Sequence, residues 1–305
     1  MAERVLVTGG TGFIGAALVS ALLERGAEVH CALRPRHQSA PLGPEWRPVH
    51  VHYADLADKA ALQKAVDAAR PDAVVHLAAV GVQDVHIDPG LAVQVNILGT
   101  LNLLAVLHGD YRVFVNTGTC LEYGSNDPPF HEDQDPRPEL PYAITKTAAW
   151  RFCVRFHRTE GWPIVTVRPF GVYGPHQPDT AFIPFCIRSA QGGRDIDMTL
   201  GEQTRDWVYV SDVVEGFLRA LSVPQAIGGT FNLCSGLETT LYDLARGIVE
   251  KMGNRVAIHR GAQPYRVGEI WRLVGDNSRA RAILGWAPRI PLAEGLQRTI
   301  DAMTR

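Results

Sequence analysis

The sequence predicts an α/β fold, in which a doubly wound parallel sheet is followed by a smaller C-terminal lobe. Three observations support this prediction. Short apolar, β-branched runs alternate with helical stretches, a glycine-rich turn follows the first run, and proline and glycine become denser beyond Gly171. Runs without polar alternation are typical of parallel strands covered by helices on both faces. Strands are predicted at 5–7, 29–33, 73–77, 113–115 and 164–167.

The first predicted helix follows the glycine-rich turn and covers residues 12–25. Ile14, Leu18 and Leu22 recur at helical spacing, so they form one apolar stripe that can pack on the sheet. Gly26 is well placed to end the helix, because glycine adopts the left-handed conformation common after a last turn. A strand, a helix and a second strand in this order predict a right-handed crossover.

Composition excludes several classes of protein. The 305 residues carry 30 Lys and Arg against 32 Asp and Glu, and this net charge of −2 argues against a nucleic-acid partner. We expect no membrane partner, since no apolar run approaches about 18–20 residues. The N-terminal residues lead straight into the first strand, which argues against a signal peptide. The five cysteines include no CxxC pair, so we expect no metal site or disulfide framework, and a cytoplasmic location.

The distribution of proline and glycine also predicts how the chain divides into domains. Residues 124–141 are rich in proline and acids and predict an irregular surface loop. We expect a nucleotide-binding domain over residues 1–170, with a returning segment at about 207–235 that adds a last strand near 230–234. The remaining segments, 171–206 and 236–305, are expected to form the C-terminal lobe. A cleft between two such lobes is the default ligand site.

The glycine-rich turn predicts a dinucleotide site. TGGTGFIG at residues 8–15 places Gly9, Gly12 and Gly15 between the first strand and the first helix, and Gly10 with Gly12 and Gly15 also satisfies G-x-G-x-x-G. A pyrophosphate needs backbone N–H donors and a helix N-terminus at close range, which side chains at these positions would obstruct. This context favours a Rossmann-type domain over a ligand-free turn.

The end of the second strand favours NADP over NAD. NAD-binding domains usually place an acid there for the ribose 2′-hydroxyl, whereas this chain has Arg34 and Arg36 and no carboxylate. A guanidinium can hold a 2′-phosphate, so NADPH is preferred over NADH. Asp55 has two interpretations of equal weight: a partner for the adenine amino group, or the N-cap of a helix from Ala57 onward.

A tyrosine and a lysine one helical turn apart predict the reaction centre. Tyr142 and Lys146 form Y-x-x-x-K at the start of a helix, so both side chains point into the same space. A free phenol has a pKa near 10, and a nearby ammonium favours phenolate. Tyr142 could then exchange a proton with a carbonyl or an alcohol. Thr119 is the candidate to hydrogen-bond the same oxygen, with Thr117 second.

These motifs resemble the extended short-chain dehydrogenase/reductase family, in its nucleotide-sugar epimerase, dehydratase and ketoreductase branch. The matches cover nearly the whole chain: TGGTGFIG (8–15), HLAA (76–79), Asn96 with Gly99 and Thr100, Thr119 before Tyr123 and Gly124, Tyr142 with Lys146, RPFGVYGP (168–175), TRDWVYV (204–210) and LGWAP (284–288). The resemblance implies a catalytic triad of Thr119, Tyr142 and Lys146, and a C-terminal lobe that holds a nucleoside diphosphate-sugar.

The resemblance also implies roles for further residues. The implied cofactor-binding residues are Gly9, Thr11, Gly12, Phe13, Ile14, Gly15, Arg34, Asp55, Leu56, Leu77, Ala78, Ala79, Asn96, Thr117, Tyr142, Lys146, Pro169 and Val172. The implied substrate-binding residues are Val80, Gln83, Thr119, Cys120, His176, Arg205 and Arg266, of which the two arginines look like diphosphate contacts. Relatives often dimerise through the helix that bears Tyr142, and the apolar Ala148, Trp150 and Val154 are compatible with a homodimer.

The motifs leave several reactions open. Dehydratases of this branch have an acidic pair directly after the catalytic Thr, but this chain has Cys120 and Leu121, and Glu122 on a strand would face the opposite side. A 3,5-epimerase/reductase would pair Cys120 with His176. A C4-epimerase recycles NAD, whereas a ketoreductase consumes NADPH, so Arg34 favours reduction of an NDP-4-keto-6-deoxyhexose. A non-catalytic NADP sensor is the alternative from another class.

Overall fold

The computed structural model describes residues 3–36, 43, 46–82, 84, 86–266 and 268–304. Its centre is a parallel seven-stranded sheet with the order β11-β6-β5-β4-β1-β2-β3. The chain order reverses between β1 and β4, as in doubly wound folds. The predicted α/β fold class is confirmed. The strands of the sheet are β1 (Arg4–Thr8), β2 (Glu28–Leu33), β3 (His50–Tyr53), β4 (Ala73–His76), β5 (Val113–Thr117), β6 (Ile164–Pro169) and β11 (Thr230–Leu233).

Helices cover both faces of this sheet, and shorter strands build the C-terminal part. The helices are α1 (Phe13–Glu24), α2 (Lys59–Ala69), α3 (Pro89–Ala92), α4 (Gly99–Leu107), α5 (Pro141–Glu160), α6 (Phe182–Gln191), α7 (Val210–Ser222), α8 (Leu241–Lys251) and α9 (Leu292–Thr304). The remaining strands are β7 (Gly171–Tyr173), β8 (Ile196–Met198), β9 (Thr204–Arg205), β10 (Trp207–Tyr209), β12 (Thr239–Thr240), β13 (Ile258–Arg260) and β14 (Arg272–Leu273).

The first helix and the returning strand lie close to their predicted positions. Helix α1 begins at Phe13, and Gly26 beyond its end has φ of +76°. Strand β11 pairs in parallel with β6, with Thr230 opposite Thr166. The expected boundaries of the two lobes stay a prediction, and one hydrophobic cluster runs from Val5 in the sheet to Leu244 in the C-terminal part.

Strand β3 at the edge of the sheet was not predicted. Its sequence, His-Val-His-Tyr, has only one aliphatic residue, and its side chains are half-buried or exposed. The strand forms because its backbone pairs with β2, from His30 opposite His50 to Leu33 opposite Tyr53. An edge strand needs less burial than a central one, so apolar content alone misses it.

The expectation about long apolar runs is wrong as stated. Helices α3 and α4 and the π-helical turn between them form one 19-residue helix, Pro89–Leu107, with a mean hydropathy of 1.8. Within the described part of the chain it is the one helix long and apolar enough to cross a membrane by these measures. It carries the buried polar side chains of Asn96 and Thr100, and it packs against α2 and α5. The helix thus packs on the fold along one side, and 44% of its apolar window is buried.

Candidate active site

A cleft of about 750 Å³ opens at the carboxyl ends of the parallel strands. This is the edge at which ligands bind in open α/β sheets. Most of the residues expected to hold the cofactor line it: Gly9, Thr11, Gly12, Phe13, Ile14, Gly15, Arg34, Asp55, Leu56, Leu77, Ala78, Ala79, Thr117, Tyr142, Lys146, Pro169 and Val172. The structure also places Val80 and Thr119 on its wall.

The glycine-rich turn leaves room only for hydrogen at its key positions. Gly9 has φ of +73°, and a Cβ there would lie 2.7 Å from the Ala78 nitrogen. A Cβ on Gly15 would lie 2.1 Å from the Gly9 carbonyl oxygen. Backbone atoms cannot retreat from such contacts as a side chain can. The turn therefore keeps its close approach to the cleft only with glycine.

The start of α1 is ready to receive an anion. Its N-cap is Gly12, which has no capping side chain, and the first turn contains no acid. The first N–H groups of a helix lack partners within the helix and carry its positive partial charge. These donors face a glycine-lined cleft, so the residues fit the pyrophosphate of a dinucleotide.

Two arginines line the far end of the cleft, where β2 ends. Arg34 is half-buried, and Arg36 lies two residues further along. Burial lowers the pKa of Arg34 and the neighbouring Arg36 lowers it further, while the Asp55 carboxylate opposes both. The two positive charges repel each other, and a bound dianion would relieve that repulsion. This geometry fits a 2′-phosphate.

One of the two interpretations of Asp55 needs correction. Its Oδ1 accepts a hydrogen bond of 2.9 Å from the Ala57 nitrogen, so it does hold the local turn. However, α2 begins at Lys59, and its N-cap is Asp58, whose carboxylate accepts from the nitrogens of Ala60 and Ala61. Asp55 is therefore not the N-cap, and its carboxylate lies on the wall of the cleft.

Behind the cleft, Asn96 supports the wall rather than lining it. Its Oδ1 accepts from the Val80 nitrogen at 2.9 Å, and its Nδ2 donates to the Val80 carbonyl and the Thr145 hydroxyl. The amide is thus used by the protein itself. Asn96 therefore holds the Val80 loop in place, and its contact with the cofactor stays a prediction.

Thr117 presents a polar atom that still needs a partner. Its hydroxyl is buried and has no hydrogen-bond partner among the described residues, although Thr117 lines the cleft. Leaving a buried hydroxyl unpaired is costly. A ligand in the cleft could satisfy it, so this position also fits a bound cofactor or substrate.

Tyr142 and Lys146 lie in the first turns of α5, and both are buried. Burial raises the pKa of Tyr142, the Glu122 and Cys120 side chains raise it further, and a hydrogen bond with the Thr119 side chain opposes this rise. Burial lowers the pKa of Lys146, and Glu122 opposes that change. The protein groups therefore favour the protonated phenol, whereas the sequence led us to expect that Lys146 would lower the pKa of Tyr142.

Thr119 is fixed by a buried ion pair. Its nitrogen donates to Glu122 Oε1 at 2.8 Å, and Glu122 Oε2 accepts from Arg168 Nη2 at 2.8 Å. Both charged side chains are fully buried. Glu122 lies on a short 3-10 helix, Cys120–Tyr123, so the expectation that it faces away on a strand is wrong. The motifs in the sequence pointed only to the residues around Glu122 and Arg168, so the sequence did not predict this ion pair.

The network extends from this pair to the returning strand. Arg168 Nη1 donates to the Tyr123 hydroxyl at 3.1 Å, and that hydroxyl donates to Asn232 Oδ1 on β11 at 2.7 Å. The Arg168 guanidinium also stacks on the Trp150 ring of α5, 4.5 Å from its centroid. The loop of Thr119, the helix of Tyr142 and the last strand are thus held together by one buried cation.

The expected substrate contacts are only partly brought together. Cys120 lies in an apolar cluster with Phe130 and Cys234, and burial raises its pKa to about 12. His176 is exposed and has φ of +65°. Neither residue lines the cleft as the structure describes it, and their contacts with the substrate stay a prediction.

The two arginines expected at the diphosphate differ in their surroundings. Arg205 Nη2 donates to Glu269 at 2.8 Å, and its Nη1 donates to the carbonyls of Thr204 and Ile270. In this structure it ties β9 to the segment before β14. Arg266 is exposed. Gln83, the remaining expected contact, lies outside the described residues.

Several lining residues were not predicted from the sequence. They are Val82, Leu91, Gln94, Phe170, Gln177 and Pro178. Gln177 donates from Nε2 to the Val172 carbonyl at 3.0 Å, and its Oε1 is buried without a partner among the described residues. A buried amide oxygen at the cleft wall can accept from a sugar hydroxyl. The sequence offered only its place after Gly174 and Pro175, which is a weak signal.

Comparison with known proteins finds relatives that match this chain over nearly its whole length and that have more than one activity. A GDP-6-deoxy-D-mannose reductase of Pseudomonas aeruginosa is 33% identical over 99% of this chain and 97% of its own. A UDP-glucose 4-epimerase of Mycolicibacterium smegmatis is 32% identical over 98% and 97%. Among solved structures, a Thermotoga maritima UDP-glucose 4-epimerase with UDP-glucose superposes with a TM-score of 0.90 at 29% identity, covering 98% of both chains.

A second solved structure has a bound nucleotide. The protein RMD of Pseudomonas aeruginosa, complexed with NADPH, superposes with a TM-score of 0.81 at 30% identity, covering 98% of this chain and 97% of its own. The family model for NAD dependent epimerase/dehydratase proteins matches residues 5–234, which contain the turn, the triad and the returning strand. The chain therefore belongs to the NAD dependent epimerase/dehydratase family, within the extended short-chain dehydrogenase/reductases, and is an NAD(P)-dependent enzyme.

Proposed function

We propose that this enzyme is an NADPH-dependent ketoreductase that acts on an NDP-4-keto-6-deoxyhexose. The observation that carries the proposal is the pair Arg34 and Arg36 on the wall of the cleft, directly after β2 and with no carboxylate in between. Guanidinium groups favour a 2′-phosphate, and an acid at the same place would repel it. An enzyme that selects NADPH consumes its cofactor in a net reduction, whereas an epimerase returns it unchanged.

The reaction centre supports reduction as well. NADPH supplies a hydride to the carbonyl carbon when it is bound. Tyr142 donates its phenolic proton to the carbonyl oxygen, and the Thr119 hydroxyl hydrogen-bonds the same oxygen. Burial and the nearby Glu122 raise the pKa of Tyr142, so the phenol carries the proton that the reduction needs. Lys146 holds the cofactor ribose, as the family resemblance implies, and the product is the alcohol.

Dehydration has little support in this site. It requires a base that removes a poorly acidic C–H proton next to the catalytic Thr. Cys120 and Leu121 occupy the two positions after Thr119, and burial raises the pKa of the Cys120 thiol to about 12. Glu122, the nearest carboxylate along the chain, is held by Arg168. The chain is also 27–30% identical to dTDP-glucose 4,6-dehydratases, so it is the residues after Thr119 that argue against dehydration.

A 3,5-epimerase/reductase is disfavoured for a related reason. It would need the Cys120 thiol and the His176 ring to exchange protons beside one ketone. The thiol lies in an apolar cluster, and the histidine is exposed. A non-catalytic NADP sensor would have no use for an intact, buried Tyr142 and Lys146 pair on the wall of the cleft.

A C4-epimerase is the second candidate. The same triad can act as a base when the pKa of Tyr142 falls, and the superposition with a UDP-glucose 4-epimerase is close. C4 epimerisation would start from the oxidised cofactor and return it unchanged while the sugar isomerises. The two candidates thus differ in one measurable quantity, the loss of reduced cofactor in each turnover.

The decisive experiment supplies NDP-4-keto-6-deoxyhexoses with NADPH or NADH and follows absorbance at 340 nm, with the product identified by NMR. We expect steady oxidation of NADPH, and a loss of about 10²–10⁴-fold in Tyr142→Phe. Tyr265→Phe, at a half-buried tyrosine that lies outside the cleft and donates to Glu202, is the matched control. In a parallel reaction with an NDP-hexose and NAD⁺ or NADP⁺, an isomerised sugar with no net change in cofactor would establish the epimerase. Bound NADPH without turnover of any NDP-sugar would support the sensor.

The cofactor preference has its own test in Arg34→Ser. Loss of the guanidinium should weaken the binding of NADPH and leave the binding of NADH nearly unchanged, since only NADPH carries the 2′-phosphate. Charge-assisted contacts are worth about 1.5–3 kcal/mol, which corresponds to roughly 10–100-fold in KM. Arg158→Ser, on an exposed turn of α5, is the control. Equal effects on both cofactors would show that Arg34 does not read the phosphate.

We further propose a homodimer built on α5, in the cytoplasm where NADPH is available. Ile144, Ala148 and Phe152 recur every four residues on this helix, and Ile144 and Phe152 are 48% and 38% exposed. An exposed apolar stripe of this kind marks a contact surface. Trp150 is not part of it, because its Nε1 donates inward to the Thr230 hydroxyl. Light scattering should give a dimer, and Phe152→Glu should give a monomer.

A further inference from the structure

Four ionisable side chains gather on one face of the sheet edge. Strand β3 pairs with β2 in parallel, with His30 opposite His50 and Ala32 opposite His52. Alternate residues of a strand point to the same face, so Glu28 and His30 on β2 share that face with His50 and His52 on β3. The four residues form a group, the edge cluster, that lies outside the cleft.

The ligand atoms of the edge cluster lie close together. Glu28 Oε1 is 3.1 Å from His30 Nε2 and 3.8 Å from His50 Nε2. One atom each of Glu28, His30 and His50 falls within 4.8 Å of the other two. The rings of His30 and His50 stack with their centroids 4.7 Å apart, so the exposed His50 ring must turn to point its nitrogen at an ion that His30 binds.

We propose that Glu28, His30 and His50 form a binding site for a divalent transition-metal ion, with Zn²⁺ as the first candidate. Two imidazoles and one carboxylate are a common zinc ligand set, with a water in the fourth position. Tetrahedral bonds of about 2.0–2.1 Å place ligand atoms roughly 3.4 Å apart, which lies between the two distances to Glu28. The cysteines, which argued against a zinc site, take no part in this one.

His52 completes the arrangement by orienting His30. Its Nε2 is 3.0 Å from His30 Nδ1, on the other side of the ring from Glu28. In the metal-bound form, His30 Nδ1–H donates to His52, which leaves the Nε2 lone pair of His30 for the ion. Metal-binding histidines almost always donate their second ring N–H to a partner in this way.

Access and burial suit a site that is filled from solution. The His30 side chain is 6% exposed and anchors the cluster, whereas those of His50 and Glu28 are 58% and 41% exposed. An ion can therefore enter without any movement of the core. A bound ion would join β2 to the edge strand β3. Both strands run on to the wall of the cleft at Leu33 and Ala54.

The site is tested on tag-free, chelator-treated protein by titration with ZnCl₂ in a calorimeter. We expect one Zn²⁺ per chain, and at saturation a rise in Tm of about 5 °C or more. His50→Gln, at an exposed ligand, should weaken binding at least 10-fold without unfolding the chain. His259→Gln is the matched control, because His259 is also an exposed histidine beside a carboxylate, Asp195 at 3.0 Å.

Two further variants distinguish coordination by these side chains from nonspecific binding of the ion. Glu28→Gln should lower the affinity for Zn²⁺ at least 10-fold. His52→Gln should lower it by about 10–100-fold, because His30 loses the partner that orients its ring. MgCl₂ should not bind, since imidazole is a poor ligand for it. No Zn²⁺ binding, binding that survives His50→Gln, or equal loss in His259→Gln would each overturn the proposal. NADPH binding measured in each variant shows that the fold is intact.

Discussion

The buried pair of Glu122 and Arg168 allows a quantitative prediction about stability. In Glu122→Gln the side chain keeps its shape but loses the negative charge that faces Arg168 Nε at 3.0 Å and Nη2 at 2.8 Å. Both partners are fully buried, so water cannot replace the missing charge. Removing one member of such a pair costs about 3–5 kcal/mol, because a buried charge is left uncompensated.

The expected loss is large enough to measure in two independent ways. For a chain of this size, about 3–5 kcal/mol corresponds to a fall in Tm of roughly 6–15 °C. The midpoint of urea unfolding should fall with an unchanged m-value. The matched control is Glu238→Gln, which removes an exposed partner of Arg272 at 2.8 Å. Exposed pairs contribute about 0–1 kcal/mol, so the control should lose at most about 3 °C.

A double variant tests the cause. In Glu122→Gln with Arg168→Met neither charge remains, so the double variant should be more stable than Glu122→Gln alone. Two results would contradict this explanation: a loss of stability in Glu122→Gln no larger than in Glu238→Gln, or a larger loss in the double variant than in Glu122→Gln. Either would mean that the stability of this region does not depend on neutralising the buried charge of Arg168.

The same substitution should change the pH dependence of catalysis. The Glu122 carboxylate raises the pKa of Tyr142, so its removal lowers that pKa. Reduction needs the protonated phenol, and activity is lost as pH rises through the pKa. The basic limb of the kcat profile should therefore move to lower pH in Glu122→Gln. A basic limb that stays in place would mean that another group controls it.

Three further outcomes are expected. Gly15→Ala should abolish NADPH binding, measured by fluorescence titration, because its Cβ would lie 2.1 Å from the Gly9 carbonyl oxygen; binding that persists would contradict the geometry of the turn. Burial lowers the pKa of His76 to about 3, whereas the unfolded value is near 6.5; between these values the unfolded chain binds the extra proton, so stability falls by about 1.4 kcal/mol for each pH unit below about 6.5. Urea midpoints should show that slope, and His76→Gln should flatten it. Asp206→Ala removes the acceptor of four hydrogen bonds, including 2.7 Å bonds from the Ser235 nitrogen and hydroxyl, so we expect a loss of about 3 kcal/mol or more in urea unfolding, and a loss below about 1 kcal/mol would refute it.

Local chemistry made the cofactor side of the site predictable. The glycine turn, Arg34 and the Tyr142 with Lys146 spacing each follow from what a single short segment must do. A close backbone approach requires glycine, a phosphate attracts a cation, and two side chains share a helix face when they are four positions apart. Each of these requirements leaves a fixed pattern in the sequence, and all of these residues line the cleft.

The rest of the site depends on contacts between distant segments. Glu122 and Arg168 are 46 residues apart, and Tyr123 and Asn232 are 109 apart. No periodicity or spacing encodes such partners, since each residue taken alone is consistent with an ordinary polar residue on the surface. The edge strand β3 was missed for a similar reason: its backbone pairing with β2 forms it, while its histidines hide the apolar pattern.

The charge around Tyr142 links the fold to the direction of the reaction. A lysine at the fourth following position suggests a phenolate, but burial lowers the pKa of that lysine, and a carboxylate that Arg168 keeps buried raises the pKa of the phenol. The free enzyme therefore holds Tyr142 as a proton donor. This protonation state agrees with the proposed reduction, in which Tyr142 gives a proton to a carbonyl oxygen.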